Sequence, residues 1–188
     1  MKNMLRTAVL AVALIFASAP ALAQDFEFKP YVGVGLGGFN IELDALGLLS
    51  DSDTAFGGYG LVGADFNDYL GAELRVGTTA NATLFGAVDV GVDYFISYLA
   101  KVQYPATPEL RVYGLIGGTT AKATTSVVGF PDESYTETGV SFGAGLDYRI
   151  MDQVIIGAEW VRYWHNVEVE PGLEAIVDGF SGLVKYEF

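Results

Sequence analysis

Between Val88 and Tyr104 every even position is apolar or aromatic: Val88, Val90, Val92, Tyr94, Ile96, Tyr98, Ala100, Val102 and Tyr104. The odd positions, Asp89, Gly91, Asp93, Phe95, Ser97, Leu99, Lys101 and Gln103, are mostly polar or small. A period of two belongs to a β-strand, whose side chains point alternately to two faces. One face of this strand therefore lies in an apolar medium and the other in polar or crowded space.

The pattern recurs. Val140, Phe142, Ala144, Leu146 and Tyr148 oppose Gly139, Ser141, Gly143, Gly145, Asp147 and Arg149. Leu70, Ala72, Leu74 and Val76 oppose Gly71, Glu73, Arg75 and Gly77, and Phe180, Gly182, Val184, Tyr186 and Phe188 oppose Ser181, Leu183, Lys185 and Glu187. Charge repeatedly shares a face with glycine, the inverse of a soluble ligand-binding barrel, whose interior is apolar. A water-soluble sandwich also alternates, so two further observations matter.

The first is connection length. Strands are expected near 30–41, 55–66, 70–78, 88–104, 109–120, 138–149, 154–164 and 179–188. The gaps then alternate. Glu42–Thr54, Thr79–Ala87, Ala121–Glu137 and His165–Asp178 are long, whereas Asn67–Tyr69, Pro105–Pro108 and Ile150–Gln153 are short. Long loops on one side and short turns on the other characterise outer-membrane barrels. The second is the last strand, in which Phe180, Val184, Tyr186 and Phe188 fall in one phase and an aromatic residue closes the sequence. The expected fold is all-β: a closed, antiparallel, up-and-down transmembrane β-barrel of about eight strands.

The N-terminus reads as an export signal. Lys2 and Arg6 precede the apolar run Leu10–Phe16, and Ala21-Leu22-Ala23 forms a small-x-small cleavage site before Gln24. The expected organisation is a signal peptide over 1–23 and one barrel domain over 24–188. Removing those two of the 10 basic residues leaves 8 against 23 acidic ones, a net charge of 8 − 23 = −15, which argues against nucleic acid as a partner. There is no cysteine, so an exported fold is stabilised without disulfides. Beyond the signal no uncharged apolar run reaches the roughly 18 residues of a spanning helix.

Tyr31-Val32-Gly33-Val34-Gly35, Ser141-Phe142-Gly143-Ala144-Gly145-Leu146-Asp147-Tyr148 and the terminal Phe188 carry a resemblance to small outer-membrane β-barrels: the OmpA-type transmembrane domain and the porin-family, opacity-like surface proteins. The resemblance covers essentially all of residues 24–188. It implies location in the outer membrane of a Gram-negative cell, contact with outer-membrane lipid and lipopolysaccharide, and recognition by the assembly machinery through Phe180, Val184, Tyr186 and Phe188. The expectation is a barrel without a C-terminal peptidoglycan-binding domain, so cell-wall anchoring is not implied.

The expected barrel-interior charge network is Glu73, Arg75, Asp93, Arg111, Asp147, Arg149, Glu159 and Lys185. Opposite charges in so narrow an interior pair with each other, which favours a polar plug over an ion pathway. Tyr148, Trp160, Tyr163 and Trp164, together with Tyr186, fall near strand ends, where amphipathic rings favour the membrane interface. Arg162, on the same expected outward face as Trp160 and Trp164, is a candidate to reach lipopolysaccharide phosphates.

No catalytic, cofactor or metal residues are expected. Gly33-x-Gly35-x-x-Gly38 matches a dinucleotide fingerprint in spacing, but no helical pattern follows it to hold a pyrophosphate. His165, the single histidine, has no serine or aspartate near it in a catalytic arrangement. Asp44, Asp51, Asp53, Asp132, Glu133, Glu137, Glu168, Glu170 and Glu174 make the long loops acidic, yet Asp51-x-Asp53 lacks the rest of a calcium loop. The expected role is a non-enzymatic integral outer-membrane protein supporting envelope integrity and presenting surface loops. A narrow porin is the alternative, and a lipid A-modifying enzyme a distant third.

Overall fold

The structure is a computed structural model that describes residues 28–45, 49–84, 88–127, 133–170 and 173–188. The expected signal peptide lies outside these residues. Nine strands run in order: β1 (Lys29–Ala45), β2 (Leu49–Asp65), β3 (Leu70–Thr79), β4 (Asn81–Leu84), β5 (Val88–Pro105), β6 (Leu110–Val127), β7 (Glu133–Arg149), β8 (Val154–Glu170) and β9 (Leu173–Glu187). All neighbours are antiparallel, and β1 pairs with β9 from Tyr31↔Glu187 to Ala45↔Leu173, which closes the wall. Both β3 and β4 pair with β5 on one continuous register, Gly77↔Phe95 and then Asn81↔Gly91, so they form a single barrel strand interrupted at Ala80. The result is a closed, eight-stranded, all-β barrel. Among the described residues no helix is long and apolar enough to cross a membrane, which leaves crossing by strands untouched.

Three short turns join strands at one end, each built the same way. Phe66 N–H donates to Leu70 O at 2.8 Å, Ala106 to Leu110 at 2.9 Å and Ile150 to Val154 at 3.0 Å. Asn67 Oδ1 accepts from the N–H groups of Tyr69 and Leu70, both at 2.8 Å, so the side chain itself sets the first turn. By the outer-membrane rule this end is periplasmic.

The opposite end departs from expectation. The four segments read as long loops are mostly strand: β1 and β2 run to Ala45 and from Leu49, β5 and β6 reach Val88 and Val127, and β8 and β9 reach Glu170 and Leu173. The barrel wall does not persist there. The β2–β3 ladder ends at Gly57↔Thr79, followed by one bond from Ala80 N–H to Phe56 O (2.7 Å), and the β7–β8 ladder ends at Phe142↔Arg162. Above these points the strands divide into two four-stranded sheets, β2-β1-β9-β8 and β4-β5-β6-β7.

Outward residues divide at the same height. Below it they are apolar and exposed, including Val34, Leu36, Phe56, Val62, Leu74, Val76, Ile96, Ile116, Val140 and Phe180. One step further along each strand stand Asn40, Thr54, Thr78, Asp93, Thr120, Thr138, Arg162 and Asp178. This polar ring marks the outer limit of the hydrocarbon-facing band.

Candidate functional site: the barrel interior and its external mouth

Inward side chains of the lower barrel are charged or phenolic. Arg75, from β3, has no exposed surface. Its Nε and Nη2 donate to Glu73 Oε2 at 3.0 and 2.5 Å, while Nη1 and Nη2 donate to the Glu159 carboxylate, the second contact at 2.9 Å. Glu159 also accepts from the hydroxyls of Tyr59 (2.5 Å) and Tyr113 (2.9 Å), and Glu73 from Tyr31 (2.8 Å). Lys185 Nζ sits between Glu73 (3.2 Å) and Asp147 (3.0 Å), and lies 4.9 Å from the centre of the Tyr113 ring.

Nearer the periplasm, Asp65 receives Lys101 at 2.7 Å and Arg111 at 2.9 Å, and Arg149 donates to both oxygens of Glu187. Five carboxylates thus face five cations: Asp65, Glu73, Asp147, Glu159 and Glu187 against Arg75, Lys101, Arg111, Arg149 and Lys185. The plug is neutral in sum. Buried charges are tolerable only when paired, and each of the five cations lies within ion-pair distance of a carboxylate.

Gly33 and Gly35, two of the three glycines of the dinucleotide-like spacing, serve this interior, where a Cβ at Gly33 would meet Lys185 Cγ at 3.0 Å. A Cβ at Gly35 would stand 2.3 Å from the Tyr59 ring, so only glycine lets that ring lie across β1 toward Glu159.

Above Arg75 the lining changes character. Ser97, Thr119 and Ser141 form a hydroxyl chain with 2.7 Å steps, and Ser141 Oγ donates to Tyr163 O at 2.7 Å. Next come Phe39, Phe95 and Tyr163, with ring centres 5.3–6.0 Å apart. Between the two upper sheets they meet Val92, Ala121, Trp164 and Val177 around a cavity of about 20 Å³, room for about one water-sized group.

The structure places the expected interior residues unequally. Glu73, Arg75, Asp147, Glu159 and Lys185 are buried together, and Arg111 and Arg149 sit half-buried at the periplasmic mouth. Asp93 does not join them. A bulge in β5 between Val92 and Tyr94 adds a residue, so Val92 turns in and Asp93 faces outward, bonded to Lys122 at 3.0 Å and Thr124 at 2.9 Å. That Lys122 partnership holds the Asp93 carboxyl below its ordinary range.

Two expected interface aromatics are likewise corrected. Tyr148 and Trp160 lie on the outward face, but Tyr163 and Trp164 are both 3 % exposed inside. A bulge in β8 between Arg162 and Trp164 reverses the phase, and Trp164 Nε1 then donates to Thr119 O at 3.2 Å. Lys101, Asp65, Glu187 and the three tyrosines are interior partners that the sequence reading did not select. Their odd positions share the phase of Glu73 and Arg75, which is the signal that identifies them.

Arg162 remains outward at the polar ring, in a two-bond fork with Asp178 (2.8 and 2.8 Å), which raises its affinity for its proton. His165 Nδ1 lies 3.5 Å from Arg162 Nη1. Phe180, Val184, Tyr186 and Phe188 form an outward row along β9. Among the described residues no cluster of three potential metal ligands occurs.

A closed eight-stranded wall with an apolar exterior and a paired-charge interior defines an integral outer-membrane β-barrel protein. The chain belongs to the family described as "Outer membrane protein beta-barrel domain", whose model matches residues 9–188. Outer membrane protein A of Escherichia fergusonii is 28 % identical over 179 residues, covering 87 % of this chain. The chain spans about half the length (49 %) of that curated relative. Among solved structures, Ail of Yersinia pestis is 20 % identical with a TM-score of 0.60, covering 86 % of this chain and 99 % of that one. Neisserial surface protein A is 16 % identical with a TM-score of 0.62, covering 86 % and 97 %. At these identities the structural neighbours establish the fold.

Proposed function

We propose that this protein is a non-conducting, non-enzymatic barrel that strengthens the outer membrane and carries two β-sheets outward for contacts beyond the cell. The supporting observation is the Arg75 layer: a fully buried guanidinium gripped by Glu73 and Glu159, roofed by Phe39, Phe95 and Tyr163. Water has to displace paired charges below and aromatic rings above to cross it.

The row Phe180, Val184, Tyr186 and Phe188 offers the assembly machinery an outward apolar signal on the last strand, and cleavage after Ala23 would leave Gln24 as the first residue of the exported form. Contact between Arg162 and lipopolysaccharide phosphate has to compete with Asp178 for the guanidinium. His165 has Arg162 as its polar neighbour, an arrangement that supplies neither nucleophile nor base partner. A structure of Ail exists in complex with the heparin analogue sucrose octasulfate. Here the segments above the polar ring are strongly acidic, which disfavours such a polyanion.

Single-channel recording in a planar bilayer, with refolded barrel verified by its heat-dependent gel mobility, tests the proposal. A silent membrane is expected. Reproducible discrete steps that change on charge reversal at Glu73 or Arg75 overturn it in favour of a narrow porin.

A further inference from the structure

The two seams above the membrane leave one strand edge unlike the others. The β6–β7 ladder runs without a bulge to Thr125↔Glu133, whereas β7 loses β8 above Phe142. The reason lies in β8, which spends nine residues, Arg162–Glu170, against six of β9, Leu173–Asp178, with irregularities at three places. Extra residues bend a strand away from its neighbour. Among the described residues, 133–141 of β7 therefore keep a regular ladder on one side and pair with no strand on the other, over roughly 30 Å at 3.4 Å per residue.

The hydrogen-bond phase identifies the groups concerned. Arg149 N–H points to Glu109 O on the β6 side, and Ile150 N–H to Val154 O on the β8 side. Carried up the strand, odd residues bond β6, while the main-chain N–H and C=O groups of Ser134, Thr136, Thr138 and Val140 face the vacated side. Thr136, Glu137 and Thr138 are exposed. Edge strands are commonly blunted by bulges, proline or lysine. β8 carries bulges; residues 133–141 of β7 carry none of the three.

Charge selects the occupant. Segments 40–54, 78–93, 120–138 and 162–178 hold four, two, three and four acidic residues, against Lys122 and Arg162 as the cations. A second copy would bring the same excess negative charge to the edge and be repelled. We propose that the β7 edge over Ser134–Val140 binds an extended, basic peptide segment of a partner protein by strand addition. Main-chain bonds supply affinity and lysine or arginine side chains supply selectivity. The inference rests on the upper sheets acting as contact surfaces, and it is independent of whether the barrel conducts.

The test uses full-length barrel in nanodiscs and a fluorescent ten-residue peptide in which lysine alternates with threonine, followed by anisotropy at low and moderate salt. Binding of this peptide and not of its glutamate counterpart is expected. The double variant Thr136→Pro/Thr138→Pro removes two edge N–H donors and leaves the β6 ladder whole. It should weaken binding about tenfold or more while the heat-dependent gel shift is retained. On the unaltered protein, a peptide N-methylated at alternate residues along the edge that meets β7 should bind as poorly. Absence of binding overturns the proposal. So does binding that survives N-methylation, since attraction would then be charge alone. A silent or conducting bilayer record changes neither outcome.

Discussion

The lower and upper halves of this barrel are built inside out relative to each other. In the membrane band the outward residues are Val34, Leu74 and Ile96 and the inward ones Glu73, Arg75 and Lys185. Above the polar ring Glu42 and Asp44 alternate with Ile41, and Ile41, Ala55, Ala121, Ala175 and Val177 are buried between two sheets. β5 and β8 make this change with a bulge, but β1 crosses it in unbroken register with both neighbours, so there the backbone does not cause it. The medium outside the wall does: against lipid the apolar residues face out and polar groups must satisfy each other within, while against water the ordinary hydrophobic effect packs the interior. One strand can serve both media by exchanging which parity is apolar.

That contrast can be broken most severely at Arg75. Arg75→Leu leaves Glu73 and Glu159 without their shared partner, with an expected loss of about 3–5 kcal/mol in urea unfolding of the refolded barrel. Retained stability would show that the lower interior does not depend on ion pairing. Trp164→Ala should cost about 3 kcal/mol, the low end for removing a buried aromatic because the seam beside it allows relaxation. Hydrogen exchange should report the loss in residues 163–177 while the membrane band stays protected.

A pair of outward substitutions sharpens the comparison. Leu74→Arg, in the middle of the lipid-facing band, should destabilise by about 2–4 kcal/mol, and Thr136→Arg, outward above the ring, by almost nothing. Equal costs would mean that the ring is not the membrane boundary. The smallest effect concerns Asp93. Its carboxyl is held below the usual aspartate range by Lys122, so the pair's contribution is present above the ordinary aspartate pKa and is lost as pH falls through the lowered folded value. Lys122→Met should move the Asp93 titration, followed by NMR, back up toward that ordinary range.

The inversion also explains what the sequence reveals and what it conceals. Strand positions and parity within the membrane are legible because outward apolar residues recur without interruption, as in Tyr94–Tyr104. A search for apolar residues in that same even phase stops at the ring. It therefore reads Glu42–Thr54 and His165–Asp178 as loops, although Ile41, Val167, Ala175 and Val177 continue the alternation in the odd phase. Asp93, Tyr163 and Trp164 are misplaced for a related reason: a single added residue reverses every facing beyond it, and no local residue type announces the bulges in β5 and β8. The ion-pair partners are legible as a set by parity, but which carboxylate meets which cation depends on contacts as distant as Lys185 with Glu73, 112 positions apart.

The pairing of β1 with β9 joins Tyr31 to Glu187, positions separated by most of the chain. Until β9 arrives there is no enclosed lumen, only a curling sheet with Glu73, Arg75 and Asp147 open to water. Closure is thus the moment at which the charges lose their hydration, and they lose it together. A chain delayed at that stage keeps its polar residues comfortable and its two long edges unpaired, so the hazard during biogenesis is sticking to other strands more than mispairing of charges. The last strand to be made is the one that turns a surface into an interior.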